Sequence, residues 1–186
     1  MSSILFKLVE PFRKKFRAID FSREKEPRLF TATGLEHDES GDPNFEPKNH
    51  QEMQEKRRRK LRLVLKGTDL FRVYGAENPD VGIIGWGSSE GAIREVVDLS
   101  ARAGLKVGAF HTKLLNPLPE RELGEFISSC KKVLVPELNL EGQFARMLRA
   151  KFQKEFISVN KVTGLPFTPK ELYDRVEDLT HRIYHI

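Results

Sequence analysis

The chain has a single cysteine in 186 residues, at position 130. No internal disulfide is available to it, and one thiol does not ligate an iron–sulfur cluster alone. A reducing, cytoplasmic setting is the expectation. No apolar run approaches the roughly 18 residues that a membrane span needs. The stretch "ILFKLV" near the start is too short for a secretory signal and has no small-residue cleavage site behind it. With 39% hydrophobic and 32% charged residues, the composition suits one globular domain with a charged periphery and an extension. The net charge of +5 is uneven, with basic residues concentrated in 7–17 and 56–66, which admits an acidic or phosphate-bearing partner.

The pattern changes near residue 67. Residues 1–66 read as an N-terminal extension and linker, and 67–186 as an α/β domain. In the first part, Leu5, Leu8, Val9, Phe12, Phe16 and Ile19 fall at helical spacing among Lys and Arg, with Pro11 interrupting the pattern. "TATGLEHDESGDPNFEPKNH" reads as loop. "NHQEMQEKRRRKLRLVL" reads as a helix with Asn49 as cap and Glu52–Lys56 as an i,i+4 pair.

From residue 80 short apolar strands alternate with amphipathic helices. "DVGIIGWG", "LKVGAFHT", "KVLVPE" and "FISVNKV" are the strands. The helix after the first is capped by Ser88 or Ser89, carries Ile93, Val96, Val97 and Ser100 inward, and stops at Gly104. Glu90–Arg94 and Asp98–Arg102 are its expected outer pairs. The next helix has Pro119 in its first turn and buries Leu123, Phe126 and Ile127; the one after it buries Phe144, Leu148 and Phe152. The last opens with a capping box, Thr168 and Glu171, has Pro169 at its first position, and turns Leu172, Val176, Leu179 and Ile183 inward. This alternation predicts a three-layer α/β fold: a mostly parallel sheet with helices on both faces. In such sheets function gathers at the carboxyl ends of the strands.

Those ends offer three stretches. "GWGSSEG" has the chemistry of a phosphate-binding turn in Gly85, Gly87, Ser88 and Ser89. Its spacing is not the dinucleotide fingerprint, the second strand ends without a ribose-binding acid, and Asp98 lies mid-helix, so a tight packing turn is the competing reading. "HTKLLNPLP" presents His111, an acid–base candidate or a structural residue, and a proline-stiffened crossing around Asn116 that suits a contact surface. "PELNLEGQ" presents Glu137 and Glu141, a carboxylate pair without a nearby nucleophile, and Asn139, a helix cap with Glu141 in the first turn. Cap, ligand and interface stay open there.

Other features carry less. Glu36, His37, Asp38, Glu39, Asp42 and His50 lie on a loop without metal-ligand spacing, so no metal site is assigned. "EKRRRKLRLVLK" lacks the aromatics that a nucleic-acid platform uses, and nucleic acid is not the expected partner. "GDPN" is a turn, and Cys130 reads as a small buried residue.

Three stretches in order, "TGLEHDESGDPNFEPKNHQEMQEKRRRKL" (33–61), "VPELNLEGQFARMLR" (135–149) and "VNKVTGLPFTPKEL" (159–172), resemble the alpha subunit of 2-oxoacid:ferredoxin oxidoreductases, particularly the 2-oxoglutarate type. The segment between the first two is similar to that subunit's transketolase C-terminal-like domain. The resemblance covers about residues 31–180 and leaves 1–30 unmatched. It implies an enzyme that oxidatively decarboxylates a 2-oxoacid to an acyl-coenzyme A. Thiamine diphosphate, Mg²⁺, iron–sulfur clusters, coenzyme A and ferredoxin belong to the complete complex, and none of the cofactors to this chain alone. The chain looks like the C-terminal part of such a subunit, lacking the upstream pyrimidine-binding-type domain. No catalytic residue is assigned to it.

The resemblance further implies an assembly role. Glu137, Asn139, Gln143, His111, Asn116, His37 and Asp38 are expected at contacts with the upstream alpha domain and a thiamine-binding beta subunit. Residues 4–19 are expected to be a docking helix. A binding module for a phosphate-bearing ligand such as coenzyme A at Gly85–Ser89 is the alternative. A basic protein acting on nucleic acid or a membrane surface through 5–17 and 56–66 is a third.

Overall fold

The structure is a computed structural model that describes residues 34–38, 40–66 and 69–184. The docking helix expected at 4–19 lies outside the described residues. The chain divides into two compact units after residue 67, and each is taken by itself.

The described residues of the first unit include a long helix, α1 (Pro47–Val64). It begins before Asn49, because Pro47 supplies the fixed φ and missing N–H that suit a first helical position, and Glu46 takes the cap position. Asn49 therefore sits inside the helix, and its amide reaches the carbonyls of His37 and Asn44. Glu52 pairs with Lys48, 3.9 Å away. The loop before α1 is ordered by local bonds. Asp38 Oδ1 accepts the N–H groups of Ser40 and Asp42, and His37 bridges Pro43. Glu36 receives Arg57 and His50 of α1.

The second unit is a five-stranded sheet with helices on both faces. Its strands are β1 (Phe71–Gly75), β2 (Val81–Trp86), β3 (Val107–Thr112), β4 (Lys132–Glu137) and β5 (Ile157–Asn160). Its helices are α2 (Glu90–Arg102), α3 (Glu120–Ser129), α4 (Gln143–Phe152) and α5 (Pro169–Tyr184). The sheet order is β1-β3-β2-β4-β5, with β1 antiparallel to β3 and every other pair parallel. The antiparallel β1 is an addition to the four strands expected. Its signal is the alternation Phe71-Arg72-Val73-Tyr74, closed by Gly75 at φ 80°.

The buried strands β2 and β3 are apolar on both faces, as parallel strands covered by crossover helices are. On one face Ile84, Phe110, Val133 and Val135 meet Leu123, Phe126 and Ile127 of α3 and Phe144 and Leu148 of α4. On the other, Val81, Ile83, Val107, Ala109 and Leu134 meet Ile93, Val96 and Val97 of α2 and Leu172 and Val176 of α5. These are the inward residues that helical spacing predicts. Each such fully buried aliphatic side chain contributes about 1.5–3 kcal/mol. α5 opens with the predicted capping box: Thr168 N–H donates to Glu171 at 2.7 Å, and Glu171 N–H donates to Thr168 Oγ1 at 3.3 Å. Its far end is tied down through Tyr184, whose hydroxyl donates to Asp80 at the start of β2.

The surface pairs of α2 differ from the local expectation. Arg94 lies over the Tyr74 ring, 5.5 Å from its centroid, and Arg102 bonds Glu95 at 3.3 Å. Strand β1 brings Tyr74 and Arg72 against the start of α2 and so separates Glu90 from Arg94, while Arg102 pairs within the helix, two turns back, with Glu95 instead of Asp98. Neither Ser88 nor Ser89 caps this helix. Gly87–Ser89 form a 3₁₀ turn, and Ser89 Oγ donates to the carbonyl of Trp86 at 2.9 Å.

Candidate functional site: the carboxyl edge of the sheet

Side chains alternate across the sheet, so its carboxyl edge carries two polar corners on opposite faces. The first lies under α4. Glu137 ends β4 on the face that packs α3 and α4, and it is 2% exposed. Its carboxylate accepts the N–H of Phe144 at 2.8 Å, the N–H of Ala145 at 2.9 Å and the amide of Asn139 at 2.8 Å. These N–H groups belong to the first turn of α4, where no intrahelical acceptor exists. A buried carboxylate is costly without donors, and the helix N-terminus supplies both donors and positive potential.

Asn139 shapes the connecting turn. Its Oδ1 accepts the N–H of Gly142 at 2.7 Å and that of Gln143 at 3.2 Å. Capping is thus shared: Asn139 closes the loop, and Glu137 satisfies the helix. Gly142 stands at φ 61°, and a Cβ there would lie 2.3 Å from Ser158 Oγ. Glu141 precedes the helix rather than entering its first turn, and pairs with Arg146 at 2.9 Å. It does not form a pair with Glu137.

This corner is joined to the end of β5. Asn160 Nδ2 donates to the Leu140 carbonyl at 2.8 Å, and Lys161 N–H donates to the Glu137 carbonyl at 3.0 Å. Lys161 in turn holds Glu171 at 2.8 Å, and that contact takes Glu171 down to a pKa of about 2. On this bonded frame Leu138, Leu140, Val162 and Leu165 are exposed.

The second corner lies under α2. His111 of β3 stands opposite Gly85 of β2 and Arg72 of β1, and is 2% exposed. Glu90, at the first position of α2, accepts the Tyr74 hydroxyl at 2.6 Å and Arg72 at 3.2 Å, and lies 3.9 Å from His111 Nε2. His111 Nδ1 is buried without a hydrogen-bond partner. Burial pushes the His111 pKa down against the pull of Glu90, while the Tyr74 hydroxyl holds Glu90 below its usual range. Tyr74 itself is pushed up, first by burial and then by its bond to Glu90.

The Gly85–Ser89 turn is filled by protein groups. A Cβ on Gly85 would lie 2.2 Å from Ile93 Cδ1 and 3.0 Å from Ser89 Oγ. Ser89 is buried, and the Glu90 carboxylate stands where a phosphate would seek positive potential. Gly87 and Ser88 are exposed. This favours the packing-turn reading over the phosphate-binding one.

The other expected positions are scattered. Asn116 is exposed in the crossing between β3 and α3, and Gln143 is exposed at the first position of α4. His37 is exposed and Asp38 half-buried in the first unit. Arg57 holds the Glu36 carboxyl at a pKa of about 2. Among the described residues no three His, Cys, Asp or Glu converge as metal ligands, and no helix is long and apolar enough to cross a membrane. Cys130 is half-buried and donates to the Phe126 carbonyl, and burial pushes its thiol up to about 11. The contacts of Glu90 with β1 lie outside the sequence expectation, which has no strand at Phe71–Gly75.

Residues 79–172 match the family described as pyruvate:ferredoxin oxidoreductase core domain II, and the chain belongs to that family. The 2-oxoglutarate oxidoreductase subunit KorA of Mycobacterium tuberculosis is 37% identical over 174 residues, which cover 88% of this chain and 26% of that protein. Subunit alpha of the 2-oxoacid:ferredoxin oxidoreductase 1 of Aeropyrum pernix is 31% identical over 156 residues, covering 79% and 24%. A solved structure of the 2-oxoglutarate:ferredoxin oxidoreductase from Magnetococcus marinus, with 2-oxoglutarate, coenzyme A and succinyl-CoA bound, superposes with a TM-score of 0.72 at 41% identity. That match covers 84% of this chain and 28% of the other. The chain thus spans about a quarter of the length of the curated relatives it matches.

Proposed function

We propose that this chain serves as the C-terminal assembly domain of the alpha component of a 2-oxoacid:ferredoxin oxidoreductase of the 2-oxoglutarate type. The carrying observation is the 41% identity and 0.72 TM-score to the Magnetococcus marinus enzyme across 84% of this chain. In this reading the complete cytoplasmic complex oxidatively decarboxylates the 2-oxoacid to an acyl-coenzyme A and reduces ferredoxin. Thiamine diphosphate, Mg²⁺ and the iron–sulfur clusters are held by other domains and subunits.

What this chain contributes is shape. Glu137 and Asn139 lock the β4–α4 corner, and Asn160 and Lys161 tie the neighbouring loop to it. Leu138, Leu140, Val162 and Leu165 are held out to solvent on that frame. Apolar side chains on a preorganised edge lose little conformational freedom on docking, and such an edge suits an interface with the upstream alpha domain and the thiamine-binding subunit. Glu137 and His111 are buried and act through the fold; Gln143 and Asn116 are among the exposed members of the expected interface.

The test has two arms. The isolated chain, given 2-oxoglutarate, thiamine diphosphate, Mg²⁺ and coenzyme A, should reduce no viologen dye. Co-expressed with a thiamine-binding beta subunit and the upstream alpha domain, it should co-purify with them. Turnover by the isolated chain, or no co-purification, overturns the proposal.

A further inference from the structure

Strand β5 is the last in the sheet order, and among the described residues no strand pairs with its outer edge. Natural edges are commonly protected by charge, proline or a covering element. The β5 sequence Ile157-Ser158-Val159-Asn160 has neither a charged residue nor a proline. A groove of about 190 Å³ runs between this strand and α5. Leu134, Ile157, Val159 and Leu179 give it an apolar floor, and Arg175, Asp178 and Arg182 of α5 line its rim.

The two arginines stand seven residues apart on α5, about 10.5 Å along the axis, and so share a face. Both are exposed, and neither has a carboxylate within ion-pairing distance among the described residues. Elsewhere in the domain Arg72, Arg102, Arg121 and Arg146 hold carboxylates, Arg94 lies over the Tyr74 ring and Arg149 donates to the Phe156 carbonyl, whereas Arg175 and Arg182 have no such partner among the described residues. Asp178 lies between the two guanidiniums in sequence and is also without an ion-pair partner.

We propose that β5 and α5 form a docking groove for an extended acidic segment of another protein, which adds as a sixth strand on the β5 edge. Backbone bonding to the free edge supplies the pairing, and side chains that alternate toward α5 supply the selection. Carboxylates four residues apart on a strand span about 13 Å, within the reach of two arginines 10.5 Å apart. The residue between them on the same face meets Asp178, so it is uncharged and able to donate a hydrogen bond. The occupant is thus an extended segment with acid, hydroxyl and acid at alternate positions.

The full chain, isotope-labelled, is titrated with a short synthetic peptide of alternating valines bearing glutamate, threonine and glutamate at the intervening positions. A matched peptide with lysine in place of glutamate is the comparison. The amides of residues 157–160 should shift saturably with the glutamate peptide and not with the lysine peptide. Arg175→Glu/Arg182→Glu should weaken the glutamate peptide at least tenfold and admit the lysine one. Arg175→Gln/Arg182→Gln should weaken the former without admitting the latter. If a variant does not fold, the two peptides on the unchanged chain still decide. Equal shifts with both peptides, or shifts confined to residues away from β5 and α5, overturn the proposal. So do shifts of the β5 amides with protein concentration alone, which mark self-association of the edge.

Discussion

The N–H of Ala145 donates to the carboxylate of Glu137, eight residues earlier in the chain, at 2.9 Å. That bond and its twin from Phe144 make one buried side chain responsible for the first turn of α4. Glu137→Gln replaces an acceptor oxygen with an N–H₂ group facing N–H donors. A loss of about 1–3 kcal/mol in urea unfolding is expected. Gln143→Ala, on an exposed neighbour, should stay within about 0.5 kcal/mol. Equal effects of the two would remove the capping role of Glu137.

Gly142 faces a double constraint. Its φ of 61° is left-handed, and Ser158 Oγ stands 2.3 Å from where a Cβ would be. Gly142→Ala should cost at least about 1–2 kcal/mol, the backbone penalty alone. Ser158→Ala in the same chain should relieve part of the loss. Additive effects in a double-mutant cycle would show that the close approach does not matter.

His111 sets an acid limit on the domain. Burial holds its pKa below the usual 6.5, so the folded chain binds a proton less readily than the unfolded one. Its neutral form stabilises fully above pH 6.5, and that stability is lost as pH falls toward the lower folded value. Thermal melts between pH 7 and pH 5 should fall more steeply for the natural chain than for His111→Phe. The carboxyls of Glu36 and Glu171, lowered from 4.5 to about 2, contribute their own loss only below this window. Parallel slopes would contradict the prediction.

Cys130 should be a poor nucleophile. With its thiol moved from 9.0 to about 11, the thiolate fraction at pH 8 falls about a hundredfold. Ellman's reagent should react slowly with the folded chain and rapidly in urea; equal rates would refute the shielding.

Much of the second unit was legible because its helices carry inward residues at regular spacing. Ile93, Val96, Val97 and Ser100 were named from periodicity alone, and all four are buried. The capping box of Thr168 and Glu171 was equally plain, since both partners lie within one turn. What escaped depends on chain segments meeting across the sheet. Glu90 looked like a local partner of Arg94 until β1 brought Tyr74 and Arg72 to it. Glu137 reads in the sequence as half of a carboxylate pair with Glu141, because nothing in eight residues of sequence says that its oxygens meet the N–H groups of Phe144 and Ala145. Asn139, the nearer polar residue, was the natural choice of cap, and the structure gives it the turn instead.

The bond from Tyr184 to Asp80 joins residues 104 positions apart. Leu172 and Val176 of the same helix cover Val81, Ile83 and Leu134. During synthesis, β2, β3 and β4 therefore emerge from the ribosome with one face only half covered. That face stays sticky until the α5 residues are out and free to fold back. The order of translation thus leaves α5 to complete this face, and a pause or truncation before residue 169 would hand chaperones a sheet whose apolar face is covered by α2 alone.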